Sequence, residues 1–397
     1  MKKKIYLDNA ATTQIDERVI LAMLPVFSEE YGNASSLHSY GTQAKDILDK
    51  SRSKLASFIG ARPEEIVFTS GGTESNNLAI KGIAFADRSK GNHIIVSSIE
   101  HDCVLNCCRW LETQGFYVTY LPVDDKGVVN SEELKKLINK KTILVSVMHA
   151  NNEIGTLEPI EEIGDICKEY SVPFHSDACQ SFGKIPIDVN RSGLDLLTIN
   201  SHKIYGPKGV GALYIRKGTN IIPLLHGGGQ EAGMRSTTEN LPGIVGFSNA
   251  AKLCSDGMEN ESKRLLRLKN SFIGFLFENF ENAYINGDQE NSLPGLVNFS
   301  FHGLEGETIR LLLLLDEKGI AVSAGSACSS NDKSHNASHV LQAIGLNQFE
   351  ARGSIRVSFG RYSTDDDLER FKDALIESIN SLTSIFSGSL RKNHQKE

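Results

Sequence analysis

Lys203 stands in a short polar stretch, Asn200-Ser201-His202-Lys203, between two apolar runs, Leu194 to Ile199 and Val210 to Ile215. Lysine prefers solvent, so partial burial there would lower its pKa and free the amine to form an imine with a carbonyl. Taken alone, it reads equally well as half of an ion pair. Asp177 and Gln180 follow the apolar run Val172 to His175. A carboxylate at a buried strand end needs a cation or a donor, and a protonated heterocyclic nitrogen would serve. His101 follows the run His93 to Ser97. Its ring could stack on an aromatic ligand or move a proton. Thr69-Ser70-Gly71-Gly72-Thr73-Glu74 sets two glycines between a strand and a helix. Free N–H groups at such a helix start face an anion. Asn151-Asn152-Glu153 reads as a polar turn or as a ligand contact.

These residues say more together than singly. An imine-forming lysine, a carboxylate for a ring nitrogen, an anion-binding helix start and a stacking imidazole describe a site for pyridoxal 5'-phosphate (PLP). That cofactor is an electron sink, and the protein must hold it and tune its ring nitrogen with an acid. The glycine turn is not a nucleoside-triphosphate loop, because no G-x-x-x-x-G-K-[ST] occurs. His226 to Gly229 suggests an esterase oxyanion loop, but no G-x-S-x-G accompanies it.

The elements that must position these side chains alternate. Between about 60 and 215, strands at Ile66 to Thr69, His93 to Ser97, Ile143 to Met148, Val172 to His175, Leu194 to Ile199 and Val210 to Ile215 are separated by helical stretches. Helices near Glu74 to Ala86 and Val104 to Thr113 are two of them. This pattern implies an α/β fold with a mostly parallel sheet covered on both faces. Ligands then bind at the carboxyl ends of the strands, where the residues above lie. After about residue 258 the character changes to a charged helix (Glu259 to Phe280), a strand (Leu296 to Phe301), a helix (Glu307 to Lys318), a strand (Ile355 to Phe359) and a terminal helix. These predict a smaller α+β domain that includes the N-terminal segment. The expected domains are 16–258, and 1–15 with 259–397.

Composition narrows the classes. The chain of 397 residues carries 42 Lys+Arg and 49 Asp+Glu, a net charge of −7. Mild acidity argues against nucleic acid or an anionic membrane as a direct partner. No apolar run approaches the ~20 residues that span a bilayer. The basic start Lys2-Lys3-Lys4 is not followed by an apolar h-region, so a cytoplasmic protein is expected. Seven cysteines form no framework spacing, and reduced thiols are expected. Cys103 and Cys107 share a helix face but have no further ligands at zinc-like spacing, so they read as core packing.

The sequence resembles the cysteine desulfurases of the NifS/IscS type, within the fold-type I PLP enzymes. The resemblance covers nearly the whole chain. It rests on Tyr6-Leu7-Asp8-Asn9-Ala10-Ala11-Thr12-Thr13, Thr69 to Asn77, Met148 to Gly155, His175 to Gln180 and Ser201 to Gly209. It continues through His226 to Glu231, Gly233-Met234-Arg235-Ser236, Gly325-Ser326-Ala327-Cys328-Ser329-Ser330 and Ser354-Ile355-Arg356. It implies a large PLP-binding domain with a seven-stranded sheet, and a small domain carrying a Cys328 loop. Lys203 matches the lysine that holds PLP, Asp177 the partner of its ring nitrogen and Gln180 the contact to its ring hydroxyl. His101 matches the stacking and proton-handling histidine. Gly72, Thr73 and His202 match phosphate contacts, Asn200 falls at a further phosphate contact, and Ser201 falls among the cofactor-binding residues. Thr238 matches a residue that reaches the neighbouring subunit's phosphate, which implies a homodimer. Asn152 falls beside the cofactor and the substrate, and Arg356 matches the clamp on the substrate carboxylate. Cys328 matches the loop cysteine that accepts sulfur.

The implied activity is removal of sulfur from L-cysteine, giving L-alanine and a Cys328 persulfide. Acceptor proteins for iron–sulfur cluster assembly, tRNA thiolation or DNA phosphorothioation would then take the sulfur. No intrinsic metal is implied; Cys328 is at most a transient iron–sulfur ligand. Two other readings compete. A selenocysteine lyase or related PLP lyase would use the same residues. A non-catalytic dimeric scaffold would need neither Lys203 nor Cys328. Three positions depart from the family: Asn200 where serine is usual, Cys179 between Asp177 and Gln180, and a longer loop after Cys328.

Overall fold

The computed structural model describes residues 4–324 and 337–393, with side chains described up to residue 383. Cys328 and the loop around it lie outside the described residues. Strand β1 (Ile5–Tyr6) precedes helices α1 (Glu17–Ser28) and α2 (Ser39–Phe58). Then come β2 (Ile66–Thr69), α3 (Gly72–Ala86), β3 (His93–Ser97), α4 (Asp102–Thr113), β4 (Tyr117–Leu121), α5 (Ser131–Leu137) and β5 (Thr142–Ser146). They are followed by α6 (Ile160–Glu169), β6 (Phe174–Asp177), β7 (Leu196–Asn200) and β8 (Gly211–Ile215).

Strands β2 to β8 form one seven-stranded sheet in the order β2-β8-β7-β6-β5-β3-β4. Pairing is parallel from β7 through β6, β5 and β3 to β4, and antiparallel on both sides of β8. Strands β3, β5 and β7 are buried at every residue. Side-chain alternation divides their apolar residues between two cores. Ile95, Val145 and Leu197 join α1, α2, α6 and the helix that follows β8 on one face. Ile94, Val96, Leu144 and Leu196 join α3 and α4 on the other. This is why the strands read as continuous apolar runs. Strand β4 carries a weaker sequence signal because it is a sheet edge, with Tyr117 exposed and a broken apolar pattern.

Helix α7 (Leu241–Asn279) is one helix of 39 residues, not a helix starting at Glu259. Asn240 caps it by accepting from the Gly243 N–H, and Pro242 sits in its first turn, where a missing N–H costs nothing. Its apolar first half packs on α1 and α2 and its charged half runs on from there. The position 258 expected as a domain boundary therefore lies inside a continuous helix.

Past α7 are β9 (Ala283–Asn286), β10 (Leu296–Phe301), α8 (Thr308–Glu317), β11 (Ile320–Ala321) and β12 (Ser323–Ala324). Helix α9 (His339–Ala343), β13 (Ile355–Ser358) and α10 (Asp365–Asn393) follow. An antiparallel sheet runs β12-β13-β10-β9, and β1 pairs in parallel with β11. Ile5 and Leu7 thereby enter an apolar core with Phe272, Phe299, Phe359 and Phe371. Among the described residues no helix is long and apolar enough to cross a membrane.

Candidate active site

Parallel strands share a direction, so the carboxyl ends of β2, β3, β5, β6 and β7 meet on one edge of the sheet. There a cavity of about 240 Å³ is lined by Lys203, Asp177, His101, Gln180, Asn200 and His202. Gly72, Thr73, Asn152 and Arg356 complete the set of expected residues on its wall. Ser201 is buried nearby, off this wall, with its hydroxyl lacking a protein partner. Thr238 is not part of the cavity; it is exposed on this chain, just ahead of α7.

The Lys203 turn is clamped by the N-terminal segment. The Thr13 backbone N–H and hydroxyl both donate to the His202 carbonyl, each at 2.9 Å. His202 Nδ1 lies 3.1 Å from Thr12 Oγ1. Burial, with Lys203 and Lys208 nearby, lowers the His202 pKa to about 4, so its ring is neutral at physiological pH. Tyr205 takes a left-handed conformation, φ 67°, that a tyrosine rarely adopts. Its N–H donates to Thr13 Oγ1 at 2.8 Å, its hydroxyl accepts from the Arg361 N–H at 2.6 Å, and the Arg361 guanidinium covers its ring at 4.2 Å. Strain of this kind persists where surrounding contacts over-determine it.

Asp177 ends β6 and is buried. Its Oδ1 accepts from the Cys179 N–H at 2.8 Å, and its Oδ2 accepts from Asn76 Nδ2 at 2.7 Å. Asn76, on α3, is fully buried and was not singled out from sequence. Helix α3 begins without a side-chain cap, as α6 and α8 also do, but among these uncapped starts it is the one whose first residues, Gly72 and Thr73, line the cavity. Its first N–H groups are thus free for an anion. Gly72 is required at this start: a Cβ there would meet Cys179 Sγ at 2.6 Å.

His101 is the N-cap of α4; its Nδ1 accepts from the Cys103 N–H at 3.1 Å. Burial lowers its pKa, and Lys203 adds to the effect. Cys103 does not simply pack in the core as its helical spacing suggests. It lies in the first turn of α4, at the strand-end edge, so its thiol lines the cavity. Cys107, one turn on, is buried in the core.

Arg356 is almost fully buried on β13. Its Nη2 donates to Asp8 Oδ1 at 2.7 Å and its Nη1 to the Asn152 carbonyl at 2.9 Å, while its Nε has no protein partner. Asp8 is a second residue that sequence reasoning left without a task. The loops carrying His101 and Asn152 are braced together. Asn151 Nδ2 donates to the Ile99 carbonyl at 2.9 Å, and the buried Glu100 accepts from Ser97 and from the Met148 N–H. Burial pushes the Glu100 pKa well up, with Asp177 contributing in the same direction. Lys184 donates to Gln180 Oε1 at 3.1 Å, which leaves the Gln180 amide nitrogen to donate to the Ala10 carbonyl at 2.9 Å. Arg235 grips Glu74 in the first turn of α3 with two bonds, 2.8 and 3.1 Å, so the 226–236 loop lies against that helix start.

Chemically, the edge offers an amine, a carboxyl with two fixed donors, a neutral imidazole, an uncapped helix start and a guanidinium around one hollow. Comparison with known proteins agrees with this arrangement. The family model "Aminotransferase class-V" matches residues 5–371. "Cysteine desulfurase IscS" of Dictyoglomus turgidum is 51% identical over 385 residues, covering 97% of each chain. A solved structure named "NIFS-LIKE PROTEIN" superposes with a TM-score of 0.89 at 39% identity, over 95% of this chain and 100% of that one. "SspA in complex with cysteine" superposes with a TM-score of 0.80 at 39% identity, over 91% of this chain and 100% of that one. A match of this length and identity leaves one assignment: the chain belongs to the aminotransferase class-V family, among the enzymes of the cysteine desulfurase group.

Proposed function

We propose that this enzyme removes sulfur from L-cysteine, releases L-alanine and leaves the sulfur as a persulfide on Cys328, with PLP as its cofactor. The observation that carries the reading is the Lys203 amine on the wall of a cavity shared with Asp177, His101 and the uncapped start of α3. The structural relative in complex with cysteine supports the substrate.

The donor set fits PLP. Lys203 would hold its aldehyde carbon and Asp177 its protonated ring nitrogen. Gln180 would meet the ring hydroxyl and His101 a ring face. Gly72, Thr73, Asn200, Ser201 and His202 would receive the phosphate, joined by Thr238 of the partner subunit in a homodimer. The buried hydroxyl of Ser201, without a protein partner, is a donor of the kind a phosphate satisfies. When bound, the cofactor supplies a carbonyl for amines and a conjugated ring that stores an electron pair.

The chain's own residues do the rest. Arg356, already aimed by Asp8, offers its remaining N–H groups to the substrate carboxylate beside Asn152. Lys203, once freed as an amine, takes the proton from the substrate Cα and later returns one. The Cys328 thiolate attacks the substrate sulfur. The new S–S bond forms as the C–S bond breaks, the electron pair stays on carbon, and that carbon takes up a proton to leave as alanine. An ordinary thiol has a pKa near ~8.5, so Cys328 must lose its proton before attack. The persulfide then passes to acceptor proteins, with iron–sulfur cluster assembly as the first candidate.

The decisive experiment is Cys328→Ser. Cysteine binding should remain, while persulfide formation and sulfur release should vanish. Full sulfur release by the variant would remove Cys328 from the reaction. Measuring alanine formed from selenocysteine beside that formed from cysteine distinguishes a selenocysteine lyase.

A further inference from the structure

The Cys103 thiol joins the two sides of the cavity. Its sulfur lies 3.1 Å from His101 Nδ1 and 3.1 Å from Asn76 Nδ2. The same Asn76 nitrogen donates to Asp177 Oδ2 at 2.7 Å. An amide –NH2 carries two hydrogens, so one goes to the carboxyl and the other to the sulfur. The Thr73 side chain also hydrogen-bonds this thiol, and with Asn76 donating to the sulfur the thiol hydrogen is left to serve His101 Nδ1. That nitrogen also accepts the Cys103 backbone N–H at 3.1 Å. Two donors converge on one ring nitrogen, so it carries no hydrogen.

We infer that Cys103 is a positioning residue that holds His101 neutral, with Nδ1 bare and Nε2 protonated, and ties it through Asn76 to Asp177. The contact itself stands on geometry; its consequence rests on the proposed reaction. There His101 offers an N–H to sulfur instead of a lone pair, so it steadies an anionic sulfur and does not act as the base for a thiol. Protonating Nδ1 would set an N–H against two donors. Burial and Lys203 oppose the charge as well, as does His339, while Asp177 and Asp102 favour it. The Cys103 thiol remains a donor, because burial, with Asp177 close by, pushes its pKa up to about 12.

The test is nitrogen-15 histidine NMR on the full-length enzyme as purified, with the His101 signals assigned from His101→Gln. The expected pattern is a bare Nδ1, a protonated Nε2 and a titration midpoint below the ~6.5 of free imidazole. Cys103→Ala should raise that midpoint by roughly 0.5–1 pH unit, since one donor to the neutral ring is lost. Cys103→Ser keeps an O–H donor and should restore most of the shift. A hydrogen on Nδ1 in the unmodified enzyme overturns the inference, and so does an equal midpoint in Cys103→Ala. The tautomer of the unmodified enzyme can overturn the inference even where a variant fails to fold, and Cys103→Ser against the parent reads the thiol's share. Alanine release from L-cysteine is measured separately and judges the proposed reaction, not this contact.

Discussion

The carboxyl edge of the seven-stranded sheet and the aromatic core behind the four-stranded sheet are both buried, but in opposite ways. In the aromatic core Phe272 meets Phe371 at 5.0 Å, Phe299 at 5.4 Å and Phe359 at 6.3 Å between ring centres. These rings carry no polar atom that needs a partner. At the sheet edge Asn76 Oδ1, Glu100 Oε2, Asn200 Oδ1, Ser201 Oγ and Arg356 Nε are buried without one. Each such atom costs about 1–3 kcal/mol. One region makes the fold stable; the other gives up stability to hold polar groups that a ligand can satisfy.

The contrast can be broken most sharply at Lys203. Lys203→Ala should lower alanine production by about 10²–10⁴-fold while leaving the urea midpoint close to that of the parent. Residual turnover within tenfold of the parent would remove Lys203 from the centre of the chemistry. Phe272→Ala should do the reverse: a loss of roughly 3–5 kcal/mol in urea unfolding, with kcat unchanged in the fraction that stays folded. A loss below about 1 kcal/mol would mean that this core is not what holds the C-terminal region.

Buried acids around the edge add a pH dependence of definite sign. Burial raises Glu158 to about 8 and Glu153 to about 7, against ~4.3 in an unfolded chain. The folded state therefore binds these protons more tightly. Their contribution is complete below ~4.3 and is lost as pH rises through about 8. Unfolding free energy should fall by on the order of 6 kcal/mol between pH 5 and pH 9, and Glu158→Gln should flatten that slope. Identical slopes in parent and variant would place the pH dependence elsewhere. The smallest effect belongs to the surface that neither region uses. Lys45 and Asp49 form an exposed pair one helical turn apart on α2, and Lys45→Ala should change stability by no more than about 0.5 kcal/mol. A larger loss would show that the contrast between the two buried regions is drawn too narrowly.

Much of the sheet was readable because buried strands are continuous apolar runs: β3 at His93–Ser97 and β10 at Leu296–Phe301 stand where the runs do. The start of α7 was not, because its first half is buried against α1 and α2 and carries none of the charged pattern of the second. Helical spacing assigns Cys103 to the core, yet its thiol lines the cavity. Spacing locates a face of a helix, but not which end of that helix meets the strand ends.

Local sequence determined which residue types sit at strand ends and helix starts: the lysine at 203, the carboxyl at 177, the histidine cap at 101 and the paired glycines at 71 and 72. Those follow from propensity, capping and apolar period, which act over a few residues. Only the tertiary structure decided their partners. Asn76 reaches Asp177 across 101 positions and Asp8 reaches Arg356 across 348. Such pairs carry no local signal, because their energy comes from burial and from distances that exist only once the sheet has brought its strand ends to one edge.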